Sequence, residues 1–386
     1  MNSASSRGGF LAGLGATALG ATALGAAGCA GSNGAGGASN AVRFGVSGPF
    51  SGDDANYGRV WRAAMDLAVD EIARGGGLSS RPLELVYQDT QSDPRQSLVI
   101  AQQFVDDPSI LIELGDFSSA ASIAASPVYE RAGLVQFGFT NSDPNFTAGG
   151  DFMFSTATSV RQDAAIIANR AARLGRMHAV LFQDTVWGKS ASSAYVESAR
   201  ALGVNVVAVE SYLPAAKDFH AVLGSVRAAR PDLVVYYSYY TDGALLLQQA
   251  RDVGLAARPV TTGACYNQQF ITLGGDAVNG VILPVEFFAA DPRPAVRAFV
   301  RAYEARYHES PDLFAAFAYD AVHIAAWAVR RGGFTRDGTR AAMAGGRDIP
   351  SIVDGPFRFG KDRRVARTRE TFVVVKNGAF ALWNGA

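Results

Sequence analysis

Two hydroxyls, Ser118 and Ser119, stand directly after the apolar run ILIEL (110–114) and its sequel GDF, at the start of the helical stretch AASIAASPVYERAG (120–133). A second pair, Thr140 and Ser142, follows the run LVQFGF (134–139). A catalytic serine needs a base within reach. The histidines, His178, His220, His308 and His323, are scattered, and none lies in a segment that would bring it to Ser119. The stretch GVSGP (45–49) has the wrong spacing for a nucleophile elbow. No phosphate-cradling loop and no Cys/His pair with zinc spacing is present, so neither a nucleotide cofactor nor a metal is expected. Without a base, hydroxyls at a helix start suit an anion such as a carboxylate, because unpaired N–H groups and the positive end of the helix dipole point the same way. For one cluster alone, simple helix capping explains the serines equally well. Two clusters at neighbouring strand ends favour binding.

The second half of the chain offers aromatics at corresponding places. Trp187 follows HAVLFQD (178–184), Tyr239 and Tyr240 follow DLVVYYS (232–238), and Cys265 and Tyr266 follow PVTTG (259–263). Early in the chain, Pro49, Phe50 and Tyr57 follow VRFGVSG (42–48). Aromatic side chains desolvate an apolar or planar ligand.

The elements that must position these groups are readable from hydrophobic pattern. Short apolar runs at 42–48, 83–89, 110–114, 134–139, 152–157, 178–184, 205–212, 232–240, 259–263 and 280–288 read as strands. Helical patterns lie between most of them; Trp61, Met65, Ala68 and Ile72 recur at helical spacing before the stop RGGG. Alternation of this kind implies parallel sheets and an α/β fold, in which ligands bind beyond the carboxyl ends of strands. There are too many such units for one modest sheet. Two successive sheets are expected, with a restart near FSTATSVRQDAA (154–165) and a final hairpin, FVVVKNGAFALW (372–383), turning at Asn-Gly.

The 386 residues suffice for two domains, and hydrophobic content of 48% with charged content of 18% is ordinary for a globular protein. Lys plus Arg equals Asp plus Glu at 35 each, which leaves no footprint for nucleic acid or an acidic membrane surface. Residues 1–40 differ: one Arg, a Gly/Ala/Leu stretch, AAGC, then GSNGAGGASN. This reads as an export signal whose ending resembles a lipoprotein processing box, with Cys29 as the lipidated residue and a flexible tether after it. The box lacks the usual Leu three positions before Cys29. Cys265 is the only other cysteine, and a small buried residue is its expected role.

At these same residues the chain resembles the type I periplasmic solute-binding proteins of the branched-chain amino acid class, which serve ABC importers. The matching stretches include SGPFSGDDANYG (47–58), YQDTQSDPRQS (87–97), GDFSSAASIAASPVYERAGL (115–134), FTNSDPNFT (139–147), FQDTVWGKS (182–190) and FAAFAYDAVHIAAWAVRRGG (314–333). The resemblance implies two Rossmann-like lobes joined by three crossover segments, with ligand in the cleft. Lobe one would take 41–158 plus 287–357, and lobe two 159–286 plus 358–386. It implies carboxylate-binding positions at Ser119, Thr140 and Ser142, with Phe117 and Ser118 as neighbouring wall. It also implies closing aromatics at Trp187 and Tyr239, and lining aromatics at Tyr57 and Phe314; Cys265 and Tyr266 complete the expected site. Serines occupy positions 92 and 118, where some members carry a disulfide.

Amino-acid-binding members place an acid after the strand read here as PVTTG, to pair the ligand's ammonium. The present sequence has GACYNQQ there. The expected pocket is therefore acid-poor and fits a carboxylate, an amide or an aromatic acid as well as or better than an ordinary α-amino acid, unless Asp116, Asp242 or Glu286 substitutes. The expected function is a monomeric, exported solute-binding protein that performs no chemistry and works with a membrane permease and its ATPase. The alternatives are a ligand-sensing protein that reports to a regulator, and a hydrolase using Ser119.

Overall fold

The apolar runs become strands that are largely buried, and they sort into two sheets. The computed structural model describes residues 40–367 and 370–385. Strands β1 (Val42–Gly48), β2 (Leu83–Asp89), β3 (Ile110–Leu114), β4 (Gln136–Phe137) and β5 (Met153–Phe154) form a parallel sheet in the order β2-β1-β3-β4-β5. Strands β6 (Met177–Gln183), β7 (Asn205–Tyr212), β8 (Leu233–Tyr237), β9 (Arg258–Thr261), β10 (Ile282–Val285), β11 (Thr371–Lys376) and β12 (Ala379–Leu382) form the second, in the order β12-β11-β10-β9-β8-β6-β7. It is parallel as far as β10; β11 runs antiparallel to β10 and to β12. The hairpin turns at Asn377 and Gly378, both with positive φ (52° and 75°), the conformation for which Asn-Gly is suited.

Among the described residues the helices are α1 (Ala55–Arg74), α2 (Pro94–Asp106), α3 (Ser119–Ala132), α4 (Pro144–Ala148), α5 (Val160–Ala171), α6 (Val186–Ala201), α7 (His220–Ala228), α8 (Tyr240–Asp252), α9 (Gln268–Gly274), α10 (Pro294–Tyr307), α11 (Leu313–Arg331) and α12 (Arg336–Gly345). Their apolar stripes decide where they lie. Trp61, Ala64, Met65 and Ala68 of α1 are fully buried, and α1 packs on α11. Helix α11 is buried along most of its length because it fits between α1, α12 and β3.

The chain passes between the sheets three times: after β5, after β10 and before β11. The late helices α10–α12 thus return to the first sheet. Residues 358–364, assigned to the second lobe from sequence, also lie against the first sheet. The Phe359 ring meets those of Phe137 and Phe154 at 6.2 and 5.1 Å, and the Ser155 amide donates to the Arg363 carbonyl at 3.1 Å. Apolar contact holds this segment, and nothing in its own periodicity announces it.

Two expected strands are shorter than their apolar runs. LVQFGF yields only β4, because the chain turns out of the sheet through Phe139 N to Phe137 O and Asn141 N to Gly138 O bonds. FMFSTA yields only β5, and its Ser155 and Thr156 hydroxyls donate instead to the carbonyls of Asn141 and Phe139. These turns place Thr140 and Ser142 beyond the carboxyl end of β4. Among the described residues, no helix is long and apolar enough to cross a membrane. The export signal and Cys29 lie outside the described residues.

Candidate functional site

The loops after β3 and β4 are built as one unit. Ser118 is the N-cap of α3, its hydroxyl accepting from the Ala121 amide at 3.4 Å. Capping is therefore one of its roles, as its position suggested. Asp116, buried, accepts from the Ser118 amide at 3.1 Å, and burial raises its pKa. The Ser119 hydroxyl donates to the side-chain oxygen of Asn141 at 3.1 Å, and that oxygen also takes the Asp143 amide at 3.2 Å. The Ser118 cap takes the Ala121 amide; the N–H groups of Ser119 and Ala120, the first two of α3, have no acceptor within the helix and can meet an anion.

A residue from the far end of the chain ties this unit together. The buried guanidinium of Arg364 donates to the carbonyls of Asn141 (2.9 Å), Ala157 (3.3 Å) and Asp143, and to the Thr147 hydroxyl at 3.1 Å. Burial lowers its pKa to about 10. The sequence carries no signal for this role, since Arg364 sits in a charged, loop-like run, KDRRVAR (361–367).

Ser119, Thr140 and Ser142 line a small cavity of about 90 Å³. One water needs roughly 10–15 Å³ by this measure, so the space suits a solute of several non-hydrogen atoms. The Thr140 hydroxyl is buried with no hydrogen-bond partner among the described residues. Phe117 and Phe314 add apolar wall from the first half. From the second half come Trp187, Tyr239 and the turn Thr262–Gly263–Ala264.

Trp187 stands in the first turn of α6, which Thr185 caps by accepting from the Gly188 amide at 3.0 Å. Gly188 is required there, because a Cβ would lie 2.0 Å from the Gln183 carbonyl oxygen. The Trp187 and Tyr239 rings stack at 5.1 Å with planes 13° apart. Across from them, Tyr57 stacks on Phe117 at 4.1 Å.

A wider cavity of about 570 Å³ shares Ser119, Trp187 and Tyr239 with the small one and is lined further by Ser118, Lys189 and the acids Asp53, Asp54, Asp184 and Asp242. Burial, with the charges of Asp242 and Asp53, pushes Asp54 up to about 6. Burial likewise raises Asp242 to about 6, although the Tyr212 hydroxyl donates to it.

Seven of the expected residues thus surround one space: Phe117, Ser119, Thr140, Ser142, Trp187, Tyr239 and Phe314. Ser118 faces the wider cavity. Tyr57 backs Phe117 and lines neither. The Cys265 thiol turns into the core between Ser238 and Thr261, where burial pushes it up to about 12. Tyr266 packs on Phe380, ring centroids 4.6 Å apart.

The expectation of an acid-poor pocket is corrected. Asp163, in the first turn of α5, and Glu286, just after β10, both line the small cavity. Glu286 was among the suggested substitutes. Asp163 was not, and its place in the first turn of α5 gives no local sign of a cavity. Of the other two candidates, Asp116 supports α3 and Asp242 faces the wider cavity. Among the described residues, no group of His, Cys, Asp and Glu is placed to hold a metal ion.

Residues 41–379 match the sequence profile of the periplasmic binding protein family. A leucine-, isoleucine-, valine-, threonine- and alanine-binding protein of Pseudomonas aeruginosa is 25% identical over 300 residues, covering 77% of this chain and 80% of that one. A solved putative branched-chain amino acid ABC transporter protein from Rhodospirillum rubrum is 33% identical, with a TM-score of 0.68 over 89% of this chain and all of that one. A solved ABC transporter substrate-binding protein from Desulfitobacterium hafniense, in complex with Leu, is 26% identical, with a TM-score of 0.75 over 89% of this chain and 100% of that one.

Proposed function

This chain belongs to the periplasmic binding protein family, as a substrate-binding protein of the branched-chain amino acid ABC transporter type, and on that premise we propose that it captures a small, amino-acid-like solute in its inter-sheet cavity for an importer. The observation that carries the proposal is the Thr140 hydroxyl, buried without a partner among the described residues at the wall of the small cavity. An orphan polar group of this kind costs about 1–3 kcal/mol unless something bonds to it. A carboxylate or amide oxygen set between Thr140, Ser142 and the start of α3 satisfies it, and the aromatic walls take the apolar remainder of the solute.

Two lobes, each built on one sheet, close on the solute by hinge motion at the three crossovers, and the closed form is what a permease and its ATPase engage. Lobe one takes 41–158, 287–357 and the adjoining 358–364; lobe two takes the rest of the described chain. The protein acts outside the cytoplasm, held by lipid at Cys29. A thermal-shift screen of amino acids, their amides and matched carboxylic acids tests this reading. At a hundredfold excess over its dissociation constant a true ligand stabilises by about 2.7 kcal/mol, an upward shift of several degrees. A screen in which every member leaves the melting temperature unchanged refutes it.

A further inference from the structure

The small cavity holds more negative charge than the described residues balance. Asp163 and Glu286 both line it. The guanidinium that approaches Glu286 is Arg367, and it is already engaged. Its Nε lies 2.7 Å from Asp354 Oδ1, Nη2 donates to Asp354 Oδ2 at 2.9 Å, and Nη1 donates to Thr158 Oγ1 at 3.0 Å. Glu286 Oε1 is left 3.9 Å from Nη1, too far for a hydrogen bond.

Asp163 feels burial and the charge of Glu286, and both raise its pKa. No Lys or Arg pairs with it among the described residues. The other titratable groups facing this cluster point the same way. Glu370, before β11, is raised by burial, Asp163 and Glu286, with Arg367 opposing. Asp354 is raised by burial against the pull of Arg367 and Arg293. The Tyr237 phenol on β8 is raised by burial and by Asp163. Glu286, Asp354 and Glu370 thus lie around Arg367, Asp163 is raised by Glu286, and of these four carboxylates Asp163 and Glu286 open onto the ligand space.

We propose that the ligand of this cavity carries an ammonium group held by Asp163 and Glu286, so that its substrates are amine-bearing zwitterions with the carboxylate on the Thr140 side. This rests on the solute-binding reading above and narrows its substrate class. It also moves the amine site away from the turn after β9, where Gly263–Ala264–Cys265 offers no acid. The cation supplies the missing counter-charge. Burial and Glu286 raise the Asp163 pKa, and an arriving ammonium lowers it again; a proton held by Asp163 passes to the buffer, and the amine keeps its own three.

Titration calorimetry on the full chain tests this with matched pairs: L-leucine against 4-methylpentanoate, and L-phenylalanine against 3-phenylpropanoate. Each is measured in phosphate and in Tris, whose ionisation enthalpies differ. The better amino acid should bind at least about 30-fold more tightly than its des-amino partner, with a buffer-dependent enthalpy that reports proton release. In Asp163→Asn the preference should shrink to within about threefold and the buffer dependence should vanish, while the des-amino acid still binds. Glu286→Gln should cut the preference as well, and serves as the readout if Asp163→Asn fails to fold. A wild-type protein that binds the des-amino acid as tightly, or variants that keep the full preference, overturns the ammonium site and leaves solute binding intact. Failure of all four compounds together with the amides and acids of the thermal-shift screen overturns the underlying reading, and this one with it.

Discussion

Tyr57 bonds across the molecule: rooted in α1 against the first sheet, its phenol donates to the Ala264 carbonyl, in the turn after β9 of the second sheet, at 3.1 Å. The Asn267 side chain makes a parallel connection, donating to Asp312 at the start of α11 at 2.7 Å. Gly58 allows the first, because a Cβ there would lie 2.1 Å from the Pro49 carbonyl oxygen and push α1 away. Any parting of the two halves at this point breaks both bonds. Tyr57→Phe should therefore weaken ligand binding by about three- to tenfold, the worth of one neutral hydrogen bond. Calorimetry measures it; unchanged affinity would mean that the bond plays no part in closure.

Thr140→Val separates binding from folding. The hydroxyl has no partner among the described residues, so its loss should leave the melting temperature of the ligand-free protein unchanged or slightly raised. Ligand affinity should fall by about ten- to a hundredfold, the effect of removing a hydrogen bond to a charged group. A drop in melting temperature with affinity intact would identify Thr140 as structural.

Trp187 should report the ligand. It stacks on Tyr239 and lines both cavities, so a solute at its face changes its surroundings. Ligand should alter the intrinsic tryptophan fluorescence of the wild type, and Trp187→Phe should lose most of that change. A variant that keeps all of it would place the signal at Trp61, Trp327 or Trp383.

Asp54 and Asp242 predict a pH dependence. Both are raised to about 6, chiefly by burial, and Asp54 further by the charge of Asp242. A carboxyl whose pKa is raised by apposition holds its proton more tightly in the apposed state than in the separated one. Apposition is unpenalised below about pH 4, and the penalty grows until both groups are ionised above about pH 6. The affinity of Asp54→Asn relative to wild type should thus rise from near unity at about pH 4.5 to several-fold at about pH 7. A ratio that stays flat with pH would show that the two carboxylates do not oppose closure.

Arg364→Met should damage both fold and site. It leaves the carbonyls of Asn141, Asp143 and Ala157 without their donor and should cost about 3 kcal/mol in urea unfolding. Because the same bonds hold the loop bearing Thr140 and Ser142, affinity should fall even where the variant is fully folded. Full affinity in folded Arg364→Met would show that the loop holds itself.

Much was legible before any coordinates. Strand–helix alternation pointed to two sheets, parallel but for the final hairpin, and the strand-end rule selected Ser119, Thr140, Ser142, Trp187 and Tyr239, which the fold brings around one cavity. These are local signals: period, caps, turn residues and the side of the sheet on which loops must fall. Both meanings of GDFSS, helix cap and binding site, were visible; the fold gives the cap to Ser118 and sets Ser119 at the cavity.

Charge balance was not legible, because it belongs to no segment. Whether Asp163 is a helix-start acid or a cavity acid depends on Glu286, Asp354 and Arg367, which meet only when the crossovers bring three stretches of chain together. The same holds for Arg364, which fastens a loop more than two hundred positions earlier. The sequence by itself determined the elements, their order and the side on which the site must form. Only the tertiary structure decided which ionisable groups share a buried space, since desolvation and Coulomb energy depend on distance and burial rather than on sequence neighbours.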